Sequence, residues 1–197
     1  MIEGLNTLIQ TAIADGVAPG ANYALIVNNK KHFESFGNKA NFPQQELNNI
    51  DTLYDMASLS KVISTTTCIF LLMQAGKVRL NDTVVTYVPE FTHKNITIWD
   101  LMTHTSGLPA DISGSLYSNI RDRSRDLKSN REDLINHIMN VELKYEKNTK
   151  IVYSDIGYML LGFVVERISG LKLDEFAHKH IFVPLEMVDT GYNPKDV

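Results

Sequence analysis

Cysteine is almost absent from this sequence, with Cys68 the only one among its 197 residues. A single thiol excludes an intramolecular disulfide, so the fold does not depend on an oxidising compartment. Its neighbours Thr67, Ile69 and Phe70 belong to a mostly apolar helical stretch. We therefore interpret Cys68 as a small core residue and not as a catalytic thiol.

Long apolar runs are also lacking. The longest, residues 156–168, is interrupted by Glu166 and Arg167 and is too short to cross a bilayer. Residues 1–6 lack the basic cluster and apolar run of a signal peptide. These features predict a soluble cytoplasmic protein without a membrane span, or an extracellular protein if a leader has been removed.

The charge balance lacks the basic excess that is typical of nucleic-acid-binding proteins. Lysine and arginine number 19, and aspartate and glutamate number 23, which gives a formal net charge of −4. We therefore expect no nucleic-acid partner. The hydrophobic fraction of 44% and the charged fraction of 21% are those of an ordinary globular protein with one substantial domain or two small ones.

The histidines lack the spacing of metal ligands. His178 and His180 are two residues apart on a predicted helix, so their side chains do not face each other. His104 lies in a loop stretch that we interpret as architectural. The other three have no partner at ligand spacing, namely His32, His93 and His137. The sequence predicts no metal site.

Residues 1–50 have the pattern of part of a sheet domain. Apolar residues at helical spacing predict an opening helix over 5–13. Two apolar stretches predict a β-hairpin with strands at 21–27 and 31–36, followed by a polar connection over 37–50. Because one hairpin is not stable by itself, these strands need partners from later in a longer chain or from another molecule.

Residues 51–197 have the pattern of a helical domain. The segment 154–168 is apolar nearly all round, which predicts a buried central helix. Polar residues over 110–130 predict a long surface loop. The predicted helices are 58–75, 97–102, 131–141, 154–168 and 173–181.

Ser58 and Lys61 have the spacing of a nucleophile and its activating amine. A serine at the start of a helix lies near the positive end of the helix dipole, which favours a developing anion. A lysine three residues later is on the same face, and a semi-buried site would lower its pKa so that it could accept the serine proton. A second Ser-x-x-Lys, at Ser169 and Lys172, lies at a helix C-terminus, where the dipole opposes an alkoxide.

Tyr153, Ser154 and Asp155 stand at the head of the predicted central helix. The Tyr153 phenol could share protons with Ser58 and Lys61 and later protonate a leaving group. A structural interpretation competes with this one, because a core tyrosine followed by a helix N-cap would have the same pattern.

Taken together, these segments resemble the serine β-lactamase-like superfamily, in the branch of class C β-lactamases, D-alanyl-D-alanine carboxypeptidases and related esterases. The matching stretches are ASLSK (57–61), GKVRLND (76–82), ITIWDLMTHTSGLP (96–109), YSDIGYMLLG (153–162) and DTGY (189–192).

The resemblance implies an α/β (α+β) fold of the β-lactamase and penicillin-binding-protein type, truncated here to a helix, a hairpin and a mostly helical domain. It implies acyl-enzyme formation on a small-molecule amide or ester, with no cofactor. Ser58 would be the nucleophile, Lys61 the proton acceptor and Tyr153 the second acid/base.

The sequence departs from the family pattern in two ways. Asp155 stands where the family most often has Asn, so it could hold Lys61 by a charge-assisted bond instead of binding a β-lactam amide, which favours an esterase or peptidase. A Lys/His-Thr/Ser-Gly triplet is also absent after Tyr153. In the family, this triplet lies on a core strand that supplies one of the two hydrogen-bond donors of the oxyanion hole. Loss of one such donor typically lowers the rate by about 100- to 1000-fold. We therefore expect this chain to be weakly active or inactive alone, and full activity to belong to a longer protein.

Two alternative functions remain open at this point. One is a sensor or binding module that becomes acylated, or only binds, without turnover. The other is an interaction piece that self-associates through an open sheet edge.

Overall fold

A computed structural model describes residues 2–113, 118 and 126–194. The chain divides into two compact units, Met1–Asp55 and Met56–Val197. The assignment of residues 1–50 and 51–197 to a sheet domain and a helical domain of a longer protein stays a prediction.

The first unit contains one helix and a three-stranded antiparallel sheet. The predicted hairpin is confirmed, and its turn is made by Asn28 and Asn29 with φ of 50° and 62°. Asparagine tolerates this left-handed conformation better than most residues, which explains why the chain reverses here. The elements are α1 (Ile2–Ala14), β1 (Gly20–Val27), β2 (Lys30–Ala40) and β3 (Glu46–Leu47), with the strands in the order β1-β2-β3.

The prediction of a polar connection over 37–50 was wrong. β2 continues to Ala40, and β3 pairs with it so that Asn38 faces Leu47. The side chain of Asn48 donates to the Asn22 side chain at 2.7 Å and to the Phe36 carbonyl at 3.2 Å, and so anchors this segment. Side-chain amides supplied the hydrogen bonds here, which an apolar pattern does not reveal.

The second unit is helical. Two of its elements are π-helical turns, at Lys61–Thr66 and His178–Phe182, which interrupt helices that the sequence predicted as continuous. The α-helices whose bounds lie within the described residues are α2 (Thr67–Gln74), α3 (Ile98–Met102), α4 (Leu127–Asn140), α5 (Asp155–Ser169) and α6 (Leu173–Ala177).

The central helix α5 confirms its prediction. Ser154 caps its N-terminus by accepting a bond from the Gly157 amide at 3.1 Å, and Gly170 ends it at a φ of 72°. Each fully buried Leu, Ile or Val contributes roughly 1.5–3 kcal/mol by leaving water. The buried apolar residues on α5 are Ile156, Leu160, Leu161, Val164 and Val165.

Helix α4 begins earlier than the sequence predicted. The side chain of Asp126 accepts from the Ser129 amide at 3.0 Å and caps a helix that starts at Leu127, four residues before Arg131. The rest of the predicted 110–130 loop lies largely outside the described residues. Within the described ranges, no helix is both long and apolar enough to cross a membrane.

Candidate active site

Ser58 stands immediately before the helical stretch that leads into α2. The residue before it, Ala57, has a φ of 43°, which is uncommon for a residue with a side chain. The Ser58 carbonyl accepts the Lys61 amide at 3.1 Å, so the two residues share the first helical turn. This turn leaves the Ser58 side chain exposed at the start of the helix.

Lys61 lies between Ser58 and Asp155. Its Nζ is 3.4 Å from Ser58 Oγ and 2.5 Å from Asp155 Oδ1, which is buried. The Lys61 side chain is only 16% exposed, so little water separates these charges. The structure thus brings together residues 97 positions apart in the sequence through the first turn of α5.

The charge state of Lys61 differs from the sequence-based expectation. Burial alone lowers the pKa of Lys61, as expected, but hydrogen bonds and charge interactions with Asp155 and Tyr153 outweigh burial. The pKa of Lys61 therefore lies above its ordinary value, and the expectation of a lowered pKa was wrong. The main cause of the raised pKa of Lys61 is the Asp155 carboxylate, because it is in contact with the ammonium and favours its charged form.

Tyr153 faces the same lysine. The Lys61 Nζ lies 4.9 Å from the centre of the Tyr153 ring, and the side chain of Tyr153 is half exposed. Hydrogen bonds with Lys61 and with Ser58 lower the pKa of the Tyr153 phenol. Ser58, Lys61, Tyr153 and Asp155, the four residues that the sequence singled out, are therefore gathered in one place.

His104 is a neighbour of this cluster that the sequence reasoning missed. Its Nδ1 accepts the Ser154 amide at 3.0 Å, and its ring centre lies 4.6 Å from that of Tyr153. The centre of the Tyr158 ring lies 5.1 Å from that of His104 and 5.8 Å from Lys61 Nζ. No local spacing in the sequence links His104 to position 153, so only the fold could show this contact.

Ser154 fits the structural interpretation, since it is a helix cap. Besides accepting from Gly157, its hydroxyl donates to the Pro109 carbonyl at 2.6 Å. The Asp155 amide donates to the Ala110 carbonyl at 2.7 Å. The loop that follows α3 therefore fixes the start of α5, where Tyr153 and Asp155 stand.

The second Ser-x-x-Lys pair has a local role. Ser169 Oγ accepts the Leu171 amide at 3.2 Å and lies 3.3 Å from the Leu171 carbonyl, at the C-terminal end of α5. Lys172 precedes α6, and its amide donates to Glu175 at 3.0 Å. Both residues are engaged in joining two helices.

Metal ligands do not cluster in the part of the chain that the structure describes. No group of three or more His, Cys, Asp and Glu residues lies close enough to hold a metal ion there. The groups that meet at Lys61 are the Ser58 hydroxyl, the Tyr153 phenol and the Asp155 carboxylate.

The chain is similar in sequence to known proteins. A family model described as Beta-lactamase matches residues 5–197, nearly the whole chain. A protein of Escherichia coli K12 named "Putative D-alanyl-D-alanine carboxypeptidase" is 35% identical over 159 residues, which cover 73% of this chain and 34% of that protein. A Bacillus subtilis 168 N-acetylmuramyl-L-alanine amidase is 33% identical with the same coverage.

A solved structure has the same fold over almost all of the chain. It is a class C beta-lactamase with a TM-score of 0.77 and 25% identity, covering 95% of this chain and 49% of its own. The chain thus spans about a third of the length of the curated relatives and about half of the solved structure.

Proposed function

The chain belongs to the Beta-lactamase family, and on that premise we propose that it carries the nucleophilic part of a serine hydrolase. The whole protein would transfer the acyl group of an amide or ester to Ser58 and then to water. The observation that carries this proposal is the contact of Ser58 with Lys61 at 3.4 Å beside a phenol of lowered pKa.

We assign the role of proton acceptor to Tyr153 and not to Lys61, in contrast to the assignment that the family resemblance implied. Asp155 keeps Lys61 protonated, and the Lys61 ammonium favours the Tyr153 phenolate. The phenolate takes the proton of the Ser58 hydroxyl while Oγ attacks the carbonyl carbon. Tyr153 then gives that proton to the leaving group as the bond to the carbonyl carbon breaks.

Release of the acyl group repeats the same steps with water. Tyr153 accepts a proton from water as the water oxygen attacks the ester carbon, and Ser58 leaves with a proton returned from the phenol. The backbone N–H of Ser58 would supply one hydrogen bond to the oxyanion at each step.

The substrate class that we propose is a small-molecule ester or amide whose binding does not require an Asn at position 155. An ionised Asp155 accepts hydrogen bonds but cannot donate one to a substrate carbonyl, and its Oδ1 is committed to Lys61. This favours an esterase or D-amino-acid peptidase over an efficient β-lactamase.

Turnover by the full-length natural protein tests this function. A short p-nitrophenyl ester should give a burst of nitrophenol equal to the enzyme concentration, and intact mass should show the acyl group on Ser58. A chromogenic cephalosporin should react more slowly than the ester. Absence of an acyl adduct with every ester and amide tried would refute the proposal, and an adduct that never hydrolyses would favour a sensor or binding module.

Self-association through the sheet of the first unit is a second proposal. β1 and β3 are the edges of the three-stranded sheet in the first unit, and an edge strand can pair with another chain. Sedimentation of the protein at increasing concentration tests it, since a monomer throughout would refute it.

A further inference from the structure

His104 contacts the chain on both sides of Tyr153. Its backbone carbonyl accepts the Val152 amide at 2.8 Å, and its ring Nδ1 accepts the Ser154 amide at 3.0 Å. Between these two bonds, its ring lies on the ring of Tyr153 with a centre distance of 4.6 Å. Three contacts from one residue therefore fix the position of this tyrosine.

We propose that His104, as a neutral imidazole, is a positioning residue that holds the Tyr153 phenol against Lys61 and Ser58. The inference rests on the proposed function for its effect on rate. It adds to that function a residue that acts through Tyr153 without contacting the substrate. It also predicts that protonation of the His104 ring at acidic pH slows the reaction.

The direction of the hydrogen bond fixes the protonation state of His104. Because Nδ1 accepts from the Ser154 amide, the single proton of the neutral ring is on Nε2. A second proton on Nδ1 would place an N–H against the N–H of Ser154 and abolish the bond. Protonation thus releases one of the contacts that hold Tyr153.

The charged groups around His104 act in both directions. Burial and the Lys61 ammonium lower the pKa of His104, whereas the Asp155 carboxylate raises it, and the net effect is a lowered pKa. The rings of Tyr153 and Tyr158 cover it at 4.6 and 5.1 Å. The ring is therefore neutral at neutral pH, and it becomes charged only below the ordinary histidine value of 6.5.

The backbone at His104 suggests a matched pair of variants. Its φ of 58° is a left-handed conformation, which asparagine and glycine adopt more readily than other residues. In His104→Asn, the amide oxygen takes the place of Nδ1 as an acceptor and cannot titrate. In His104→Gly, the acceptor and the ring are both lost without backbone strain.

The experiment measures the rate at which a fluorophosphonate labels Ser58 in the full-length natural protein, from acidic to alkaline pH. In the wild type at neutral pH, the labelling rate should follow the loss of one proton, that of the Tyr153 phenol. Below the pKa of His104, it should follow the loss of two protons, one from Tyr153 and one from the His104 imidazolium. His104→Asn should lose the second dependence. His104→Gly should be slower, by up to about 100-fold, because misplacement of a reacting group has costs of that order.

The outcomes separate this inference from the proposed function. Labelling at Ser58 with the second proton dependence still present in His104→Asn, at an unchanged melting temperature, would overturn the role of His104 and leave the function intact. Absence of labelling in the wild type would refute the function. In that case, ¹⁵N NMR of the imidazole still decides the geometry, because a neutral ring with its proton on Nε2 at neutral pH supports it and any other state overturns it.

Discussion

Lys61 Nζ and Asp155 Oδ1 are 2.5 Å apart, and this ion pair joins the turn that carries Ser58 to the first turn of α5. It changes the chemistry expected of the site, because a lysine with a carboxylate partner retains its proton. A protonated Lys61 cannot serve as the base for Ser58, but it can stabilise the phenolate form of Tyr153. Its Nζ lies 4.9 Å from the centre of the Tyr153 ring.

Asp155→Asn should move the alkaline limb of the rate to lower pH. The Lys61 ammonium lowers the pKa of Tyr153, and the Asp155 carboxylate raises it by less. Tyr153 also raises the pKa of Lys61, so the ammonium remains in the variant and removal of the carboxylate charge should lower the pKa of Tyr153 further. The rate of Ser58 labelling should rise with pH through the pKa of Tyr153, which lies below its ordinary value of 10.0 in the wild type. The measurement is the labelling rate against pH.

Glu132→Gln is the matched control for this prediction, since it removes one carboxylate charge from the exposed face of α4. Its profile should superimpose on that of the wild type. An equal shift in both variants would mean that net charge, and not the Lys61 contact, sets the profile.

The same Asp155→Asn variant should react faster with a chromogenic cephalosporin, because an amide can donate to the substrate carbonyl.

Tyr153→Phe should slow acylation by about 100- to 10,000-fold, the range in which a positioned acid/base contributes. The ring and its contact with His104 are kept, so only the phenol is tested. Tyr158→Phe is the control, because the Tyr158 hydroxyl has other partners: it bonds with the Thr66 hydroxyl at 3.2 Å and donates to the Met102 carbonyl at 3.4 Å. Stopped-flow acylation by an ester measures both, and equal losses would contradict the role of Tyr153.

Lys147→Met should destabilise the second unit by about 3 kcal/mol, since it leaves a buried carboxylate without its cation. Asp100 is 2% exposed, and its Oδ2 lies 2.8 Å from Lys147 Nζ and accepts from the Thr97 amide and hydroxyl at 2.8 and 2.7 Å. Urea unfolding measures the loss. Lys144→Met, at an exposed position nearby in sequence, should change stability by less than about 0.5 kcal/mol.

The same pair predicts the acid dependence of stability. Burial raises the pKa of Asp100, but the bonds with Lys147 and Thr97 outweigh it, so the folded pKa is lower than the ordinary 3.8. The pair therefore stabilises the fold above that value, and the contribution is lost as pH falls through the folded pKa. In Lys147→Met the folded pKa of Asp100 rises, so the variant should lose less stability than the wild type as pH falls through the same range. An unchanged acid profile would show that Lys147 does not act on Asp100.

Much of the fold could be predicted from the sequence where one local signal dominated. The α+β fold of the Beta-lactamase family is confirmed, and so are the hairpin and the central helix. The apolar run of α5 and its caps at Ser154 and Gly170 lie within one stretch of sequence. β3 and the early start of α4 were missed because Asn48 and Asp126, two polar side chains, stabilise them through hydrogen bonds.

The candidate site could be predicted in its members but not in its electrostatics. Spacing placed Ser58 and Lys61 on one turn, and the head of α5 supplied Tyr153 and Asp155. The raised pKa of Lys61 and the contact of His104 with Tyr153 come from residues about 50 to 100 positions apart, brought together only by the fold. Their roles in catalysis stay predictions.

The central claim is that Ser58, and not another serine, is the nucleophile. The most direct test is the intact mass of the full-length natural protein after reaction with a fluorophosphonate. We predict one adduct in the wild type and in Ser169→Ala, which removes the other Ser-x-x-Lys serine, and none in Ser58→Ala. An adduct that persists in Ser58→Ala, or its absence from the wild type, would contradict the account.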